Sequence, residues 1–268
     1  MSRSPLLPSR TGSAQPPVTD RPLAEEVPLA LVYNGTTLAV MMGTPDDLED
    51  FATGFSLSEG IVTSPADLGE IEVLHHPNGI ELRMWLPNNH AQKLAARKRA
   101  MTGPVGCGLC GIDSLDQAMR LPPPLPADNL HLTAADIGAA MDGLRASQPL
   151  HDETRAVHAA GFFVPGQGII TAREDVGRHN ALDKLCGALA RGGIAPQSGA
   201  IVLTSRVSVD MVQKCAMFGA PCLIAASAPT TAGVALAETA GITLAARAKS
   251  GRAQVFTHPA RILTGGKQ

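Results

Sequence analysis

Aromatic residues are scarce in this chain: one tryptophan, one tyrosine and six phenylalanines among 268 residues. Proteins that grip single-stranded nucleic acid stack its bases on aromatic side chains, and too few are present here for such a platform. An excess of positive charge is missing too. Twenty-two Lys and Arg against 24 Asp and Glu leave a net charge of −2, without the electrostatic footprint of a nucleic-acid binder. No apolar run approaches the roughly 20 residues that a membrane-crossing helix needs. Residues 1–22 are rich in Pro, Ser and Thr, and no apolar stretch follows Arg3 to make a secretory signal. That stretch reads as a disordered tail, and the expected compartment is the cytoplasm, where thiols stay reduced. An odd count of five cysteines disfavours a disulfide scaffold.

Against these absences stands the run Gly106-Cys107-Gly108-Leu109-Cys110-Gly111. Glycines between and beside the two thiols remove the side chains that would shield or stiffen a loop. A C-x-x-C pair has three common uses: half of a zinc site, a redox dithiol, or a sulfur-carrying site. Zinc would need a second ligand pair, and no second C-x-x-C or H-x3-H exists. His151-Asp152-Glu153 matches half of the zinc deaminase signature but follows the cysteines instead of preceding them. The expectation is no metal. A thioredoxin-type dithiol wants its first cysteine at a helix start, whereas Gly111 and Ile112 separate this pair from the predicted cap Asp113. A mobile thiol that meets a sulfur donor and a sulfur acceptor in turn fits best.

The apolar pattern divides the chain into three stretches: a tail over 1–22, an α+β subdomain over 23–121 carrying the thiol loop, and an α/β domain over 122–268. Asn34-Gly35 between apolar runs predicts a hairpin. Thr44 is placed to cap the helix that follows, whose buried face is Leu48, Phe51, Ala52, Phe55 and Leu57. Two more strands surround Asn78-Gly79. Residues 91–101 read as a basic helix, 114–120 as another helix, and the prolines of 122–126 as a stiff linker. Beyond Thr133, strands and helices alternate, which predicts a largely parallel sheet covered on both faces.

Ligands bind such sheets beyond the carboxyl ends of the strands. Expected there are Glu174, Asp175, Arg178 and His179 after one strand, Ser205 and Arg206 after the next, and Ser227, Pro229, Thr230 and Thr231 after a third. Arg offers forked donors to phosphate, so this set suits a phosphate-bearing ligand, although Asp175–Arg178 and Asp210–Lys214 could equally be plain surface pairs. His158 reads either as a structural strand histidine or as a participant. Cys186, Cys215 and Cys222 lie among apolar residues and read as packed and inert.

Taken together, the residues resemble the formate dehydrogenase accessory sulfurtransferase family, FdhD. The resemblance rests on REDVGRHNALDKL from Arg173, TPDDLEDFATGFSLSEG from Thr44, GCGLCG from Gly106, the stretch from Ser205 and that from Gly241, and spans about residues 25–262. It implies a cytidine-deaminase-like three-layer α/β domain without the zinc site, with the smaller α+β subdomain ahead of it. It implies a cytoplasmic homodimer that accepts persulfide sulfur from a cysteine desulfurase. The recipient is the molybdenum of bis(molybdopterin guanine dinucleotide), required by formate dehydrogenase. Cys107 would carry the persulfide and Cys110 assist. Ala246, Arg247, Ala248, Lys249, Ser250 and Gly251, with Arg206, Arg178 and His179, would bind the cofactor, which is a substrate and not a resident group; GDP would be an analogue. Two departures from the family pattern fall near the expected pocket: Arg155-Ala156-Val157 ahead of His158, and Ser205 where the family often has glycine. A cofactor-binding chaperone that moves no sulfur and a dithiol oxidoreductase are the alternative functions.

Overall fold

The computed structural model describes residues 3–4, 21–91, 94, 122, 125, 128–249 and 251–263. Asn34 and Gly35 take φ values of 48° and 75°, the left-handed pair that a two-residue turn between twisted strands requires. They join β1 (Val27–Tyr33) to β2 (Thr36–Gly43). A second hairpin joins β3 (Ile71–His76) to β4 (Gly79–Met84), and β4 pairs parallel with β1, giving the order β2-β1-β4-β3. The helix α1 (Leu48–Ser58) lies on this sheet. Its Phe51, Ala52, Phe55 and Leu57 share one buried core with Leu29, Leu31, Leu82 and Met84. The expected cap differs. Asp47, in a left-handed conformation and without a side-chain capping bond, precedes the helix, because Thr44 is occupied by Asp175. Within the stretch expected to be a tail, Arg3–Ser4 pairs antiparallel with Leu23–Ala24.

The second unit opens with α2 (Ala134–Ala146). Thr133 accepts from the Asp136 backbone N–H while Asp136 accepts from that of Thr133, a reciprocal capping box. The short α3 (Pro149–Thr154) follows, then β5 (His158–Val164), β6 (Gly168–Asp175), α4 (Arg178–Arg191), β7 (Ala200–Leu203), α5 (Val209–Phe218), β8 (Cys222–Ala225), α6 (Thr231–Ala240), β9 (Thr243–Lys249) and β10 (Arg252–Thr257). The sheet order is β10-β9-β8-β7-β5-β6. Only β7–β8 and β8–β9 are parallel; the remaining neighbours are antiparallel. The sheet is therefore mixed, not largely parallel. The physical reason is connection length: the β5–β6 and β9–β10 links are far too short for a crossover.

Alternation along the strands divides two cores. Ala160, Phe162, Ile201, Leu203 and Leu223 face α4, α5 and α6, while Phe163, Val202 and Ile224 face α2. Helices thus cover both faces of the sheet.

The two units meet where α1 crosses α4. Asp50, Gly54 and Ser58 recur every four residues on α1, opposite Asp183, Gly187 and Arg191 on α4. The stripes run in opposite directions: Ser58 donates to Asp183, and Arg191 reaches Asp50 at the far end. Contact is so close that a Cβ on Gly54 would sit 1.7 Å from the carbonyl oxygen of Asp183, and one on Gly187 1.9 Å from that of Asp50. The backbones touch only because those side chains are absent. Gly54→Ala or Gly187→Ala must push the helices apart, with an expected loss of about 3 kcal/mol or more. Urea unfolding measures this, and a loss under about 1 kcal/mol would contradict the crossing.

Candidate functional site

Because β6 and β7 both run against β5, the strands β6, β7, β8 and β9 end at one edge of the sheet. That edge collects the charged residues that the sequence singled out, but with an unexpected division of labour. Strand β6 continues past Ala172 to Asp175, so Arg173, Glu174 and Asp175 lie within it rather than in a loop beyond it.

The REDVGRHNALDK run proves to be largely internal. Arg173 donates from Nε (2.9 Å) and Nη2 (2.7 Å) to Asp50 on α1. Glu174 accepts from the Leu150 and His151 backbone N–H groups, both at 2.8 Å. Its carboxyl is pushed above the ordinary range by burial, which those bonds only partly offset. Asp175 is fully buried and saturated. One oxygen accepts from the Gly177 N–H and the Asn180 amide; the other accepts from the Thr44 N–H and hydroxyl and pairs with Lys184 at 2.7 Å. Lys184, also fully buried, spends its remaining donors on the Thr44 carbonyl and hydroxyl oxygens. A second buried cation, Lys214, contacts Asp183, Ser58 and Glu59 at 2.9–3.1 Å. Burial alone would favour its neutral form, yet Asp183 and Glu59 hold it charged. Neither Asp175–Arg178 nor Asp210–Lys214 is a pair; each partner is engaged elsewhere.

His179 is buried with its Nε2 against Asp210 on α5, and Arg178 approaches the same carboxylate at 3.8 Å. Burial works against charge on Asp210, but the His179 imidazole holds it well below the ordinary carboxylate range. His158 stands at the start of β5, directly opposite Asp175 in register, and its imidazole makes no hydrogen bond among the described residues. Burial, then the guanidinium of Arg178, pushes its pKa below the ordinary value.

Arg206 is exposed in the loop after β7. Ser227 follows β8, and Thr230 caps α6 by accepting from the Gly233 N–H. Strand β9 runs past the end of β8, whose last residue paired with it is Ile224, opposite Ala245, so 246–249 reach beyond β8 with only β10 beside them. There Ala246 and Ala248 bury their side chains, leaving only their backbone to a ligand. Arg247 and Lys249 are exposed. Arg247 adopts φ 55° at a bulge in the β9–β10 pairing, with its N–H on the Ser227 carbonyl; bulges redirect side chains in this way. Gly251, in the turn, is also exposed. Cys107, Cys110 and Ser250 lie outside the described residues, as do most of the predicted basic helix and all of the 114–120 helix. Leu94 packs on the core of the first unit, and Leu125 touches the second beside Gly241, so the segment bearing the thiols connects the two. Among the described residues no group of His, Cys, Asp or Glu is arranged to hold a metal ion.

A model of the FdhD/NarQ family matches residues 24–263, and the chain belongs to that family. It is 48% identical over 248 residues to the sulfur carrier protein FdhD of Agrobacterium fabrum, covering 92% of each chain. It is 50% identical over 245 residues to the protein of that name from Brucella abortus, covering 91% of each. Among solved structures, one assigned as a formate dehydrogenase accessory protein from Desulfotalea psychrophila aligns with a TM-score of 0.73 at 30% identity, covering 91% of this chain and 92% of that one.

Removing one member of a buried ion pair leaves the other charge without compensation. Asp175→Ala or Lys184→Met should each cost about 3–5 kcal/mol in urea unfolding, and the double variant distinctly less than their sum. Strict additivity would show that the two groups do not act as a pair.

Proposed function

We propose that this chain is a sulfur carrier in formate dehydrogenase maturation. It takes persulfide sulfur from a cysteine desulfurase and passes it to bis(molybdopterin guanine dinucleotide) molybdenum cofactor. One observation carries the reading. Of five cysteines, Cys186, Cys215 and Cys222 are fully buried in the two cores. Burial raises all three thiols, Cys186 and Cys215 far above the ordinary range and Cys222 to about 12. A thiol that stays protonated and enclosed neither attacks nor meets a partner. Sulfur chemistry is left to Cys107 and Cys110 in their glycine-flanked run, and the relatives' name, sulfur carrier protein, agrees with that.

In this mechanism the Cys107 thiolate attacks the terminal sulfur of the desulfurase persulfide. The donor's S–S bond breaks, its thiolate leaves, and the persulfide now sits on Cys107. Attack by the Cys110 thiolate on Cys107 Sγ then releases the carried sulfur as hydrosulfide and leaves a Cys107–Cys110 disulfide, which an external thiol reductant reopens. The sheet edge is suited to the phosphate-rich substrate: Arg178, Arg206, Arg247 and Lys249 stand where four strands end, and forked guanidinium donors match phosphate oxygens. The helix layers on both faces of the sheet are also compatible with a cytidine-deaminase-like fold turned to cofactor binding.

Cys107→Ala should abolish sulfur acceptance from a desulfurase supplied with labelled cysteine, whereas Cys186→Ala, Cys215→Ala and Cys222→Ala should each retain it. Activation of formate dehydrogenase in cells by a folded Cys107→Ala, Cys110→Ala double variant would overturn the reading in favour of a cofactor chaperone. Arg247→Ala and Lys249→Ala should weaken GDP binding measured by calorimetry at least about fivefold, since each removes a charge-assisted contact. Unchanged affinity would detach the β9–β10 end from the site.

A further inference from the structure

Of the two histidines near the end of β6, the sequence pointed to His179. The structure makes that side chain unavailable, because Asp210 already engages it in the interior. His158, at the start of β5, stands at the same edge. It is half-buried, has no hydrogen-bond partner among the described residues, and shares a sheet face with Ala160 and Phe162, toward α4. The charged and titratable groups around it are Arg178 and His179 of α4, Asp175 of β6 and His151 of α3. Asp175 is already engaged by Lys184, and His179 by Asp210. What His158 faces is thus dominated by the Arg178 guanidinium, a third exposed and only loosely held by Asp210 at 3.8 Å.

We propose that His158 and Arg178 form the subsite for the diphosphate of a nucleoside diphosphate moiety in the substrate, and that His158 takes up one proton from solvent as the anion binds. The assignment rests on the function proposed above and deepens it. A neutral imidazole beside a guanidinium resists protonation because a second cation there is unfavourable. A diphosphate placed between them reverses the balance: it attracts the proton, and the imidazolium N–H then donates to a phosphate oxygen while the guanidinium donates to another. The proton moves from water to an imidazole nitrogen, and no other bond is made or broken. Arg178 keeps a weak tie to Asp210, so it can turn toward the ligand without leaving a buried carboxylate unpaired, since His179 remains on Asp210.

The test is GDP binding to the full chain, by calorimetry in buffers of different ionisation enthalpy, combined with NMR titration of the His158 ring. Affinity should fall by up to about tenfold per pH unit between the titration points of the free and the bound histidine, with one proton taken up. The β-phosphate of GDP titrates nearby, so His158→Gln supplies the comparison: it should bind more weakly and lose the protein's part of the proton uptake. In the wild-type chain, GDP and pyrophosphate should both move the His158 titration to higher pH, and guanosine should not. Equal proton uptake in wild type and His158→Gln, an unmoved His158 titration, or no GDP binding would overturn the assignment. Sulfur acceptance by wild-type Cys107, assayed separately, tells failure of this subsite from failure of the carrier function.

Discussion

The crossing of α1 over α4 is the constraint on which the rest depends. Two helices approach until backbone meets backbone at Gly54 and Gly187. Each end of that contact is fixed by charge: Arg173 and Arg191 on Asp50 at one end, Lys214 among Asp183, Ser58 and Glu59 at the other. Hydrophobic burial alone would let the units slide, because it has no direction. Interdigitated ion pairs with every donor placed do not tolerate a shift. Removing two cations from water is expensive, and the arrangement is stable only because both lysines are fully engaged.

The same crossing determines what is free to act. Motif residues that hold the units together cannot also hold a ligand: Arg173, Asp175, Asn180, Asp183 and Lys184 are all spent on bonds to the first unit. The residues left over line the sheet edge: the half-buried His158 and Arg178, and the exposed Arg206, Arg247 and Lys249. The large anionic cofactor proposed as acceptor would meet a cationic rim there. Loading and delivery of sulfur can then occur at chemically distinct places on one chain.

Much of this was legible in the sequence. Asn34-Gly35 announced its hairpin, and the apolar spacing of Phe51, Ala52, Phe55 and Leu57 announced the buried face of α1. The buried cysteines were recognisable by their apolar neighbours. What misled was the direction of strands: short hairpin links after β5 and β9 look, in a one-dimensional pattern, like any other turn between strands. Charged residues misled differently. Asp175 and Lys184 look like surface groups until Thr44, distant in sequence, arrives to complete their hydrogen bonds. The stripes Asp50-Gly54-Ser58 and Asp183-Gly187-Arg191 were present as four-residue spacings of small and polar residues, a signal for close helix packing that an apolar-face reading passes over.

The central claim is that sulfur travels on the glycine-flanked thiols and never on the buried ones. Peptide mapping by mass spectrometry, after loading the unmodified chain from a cysteine desulfurase with isotopically labelled cysteine, tests it directly. The account predicts one additional labelled sulfur on the peptide containing Cys107 and Cys110, removed by thiol reductant, and none on those containing Cys186, Cys215 or Cys222. Label on a core cysteine peptide, or a folded chain that takes no label at all, would contradict it.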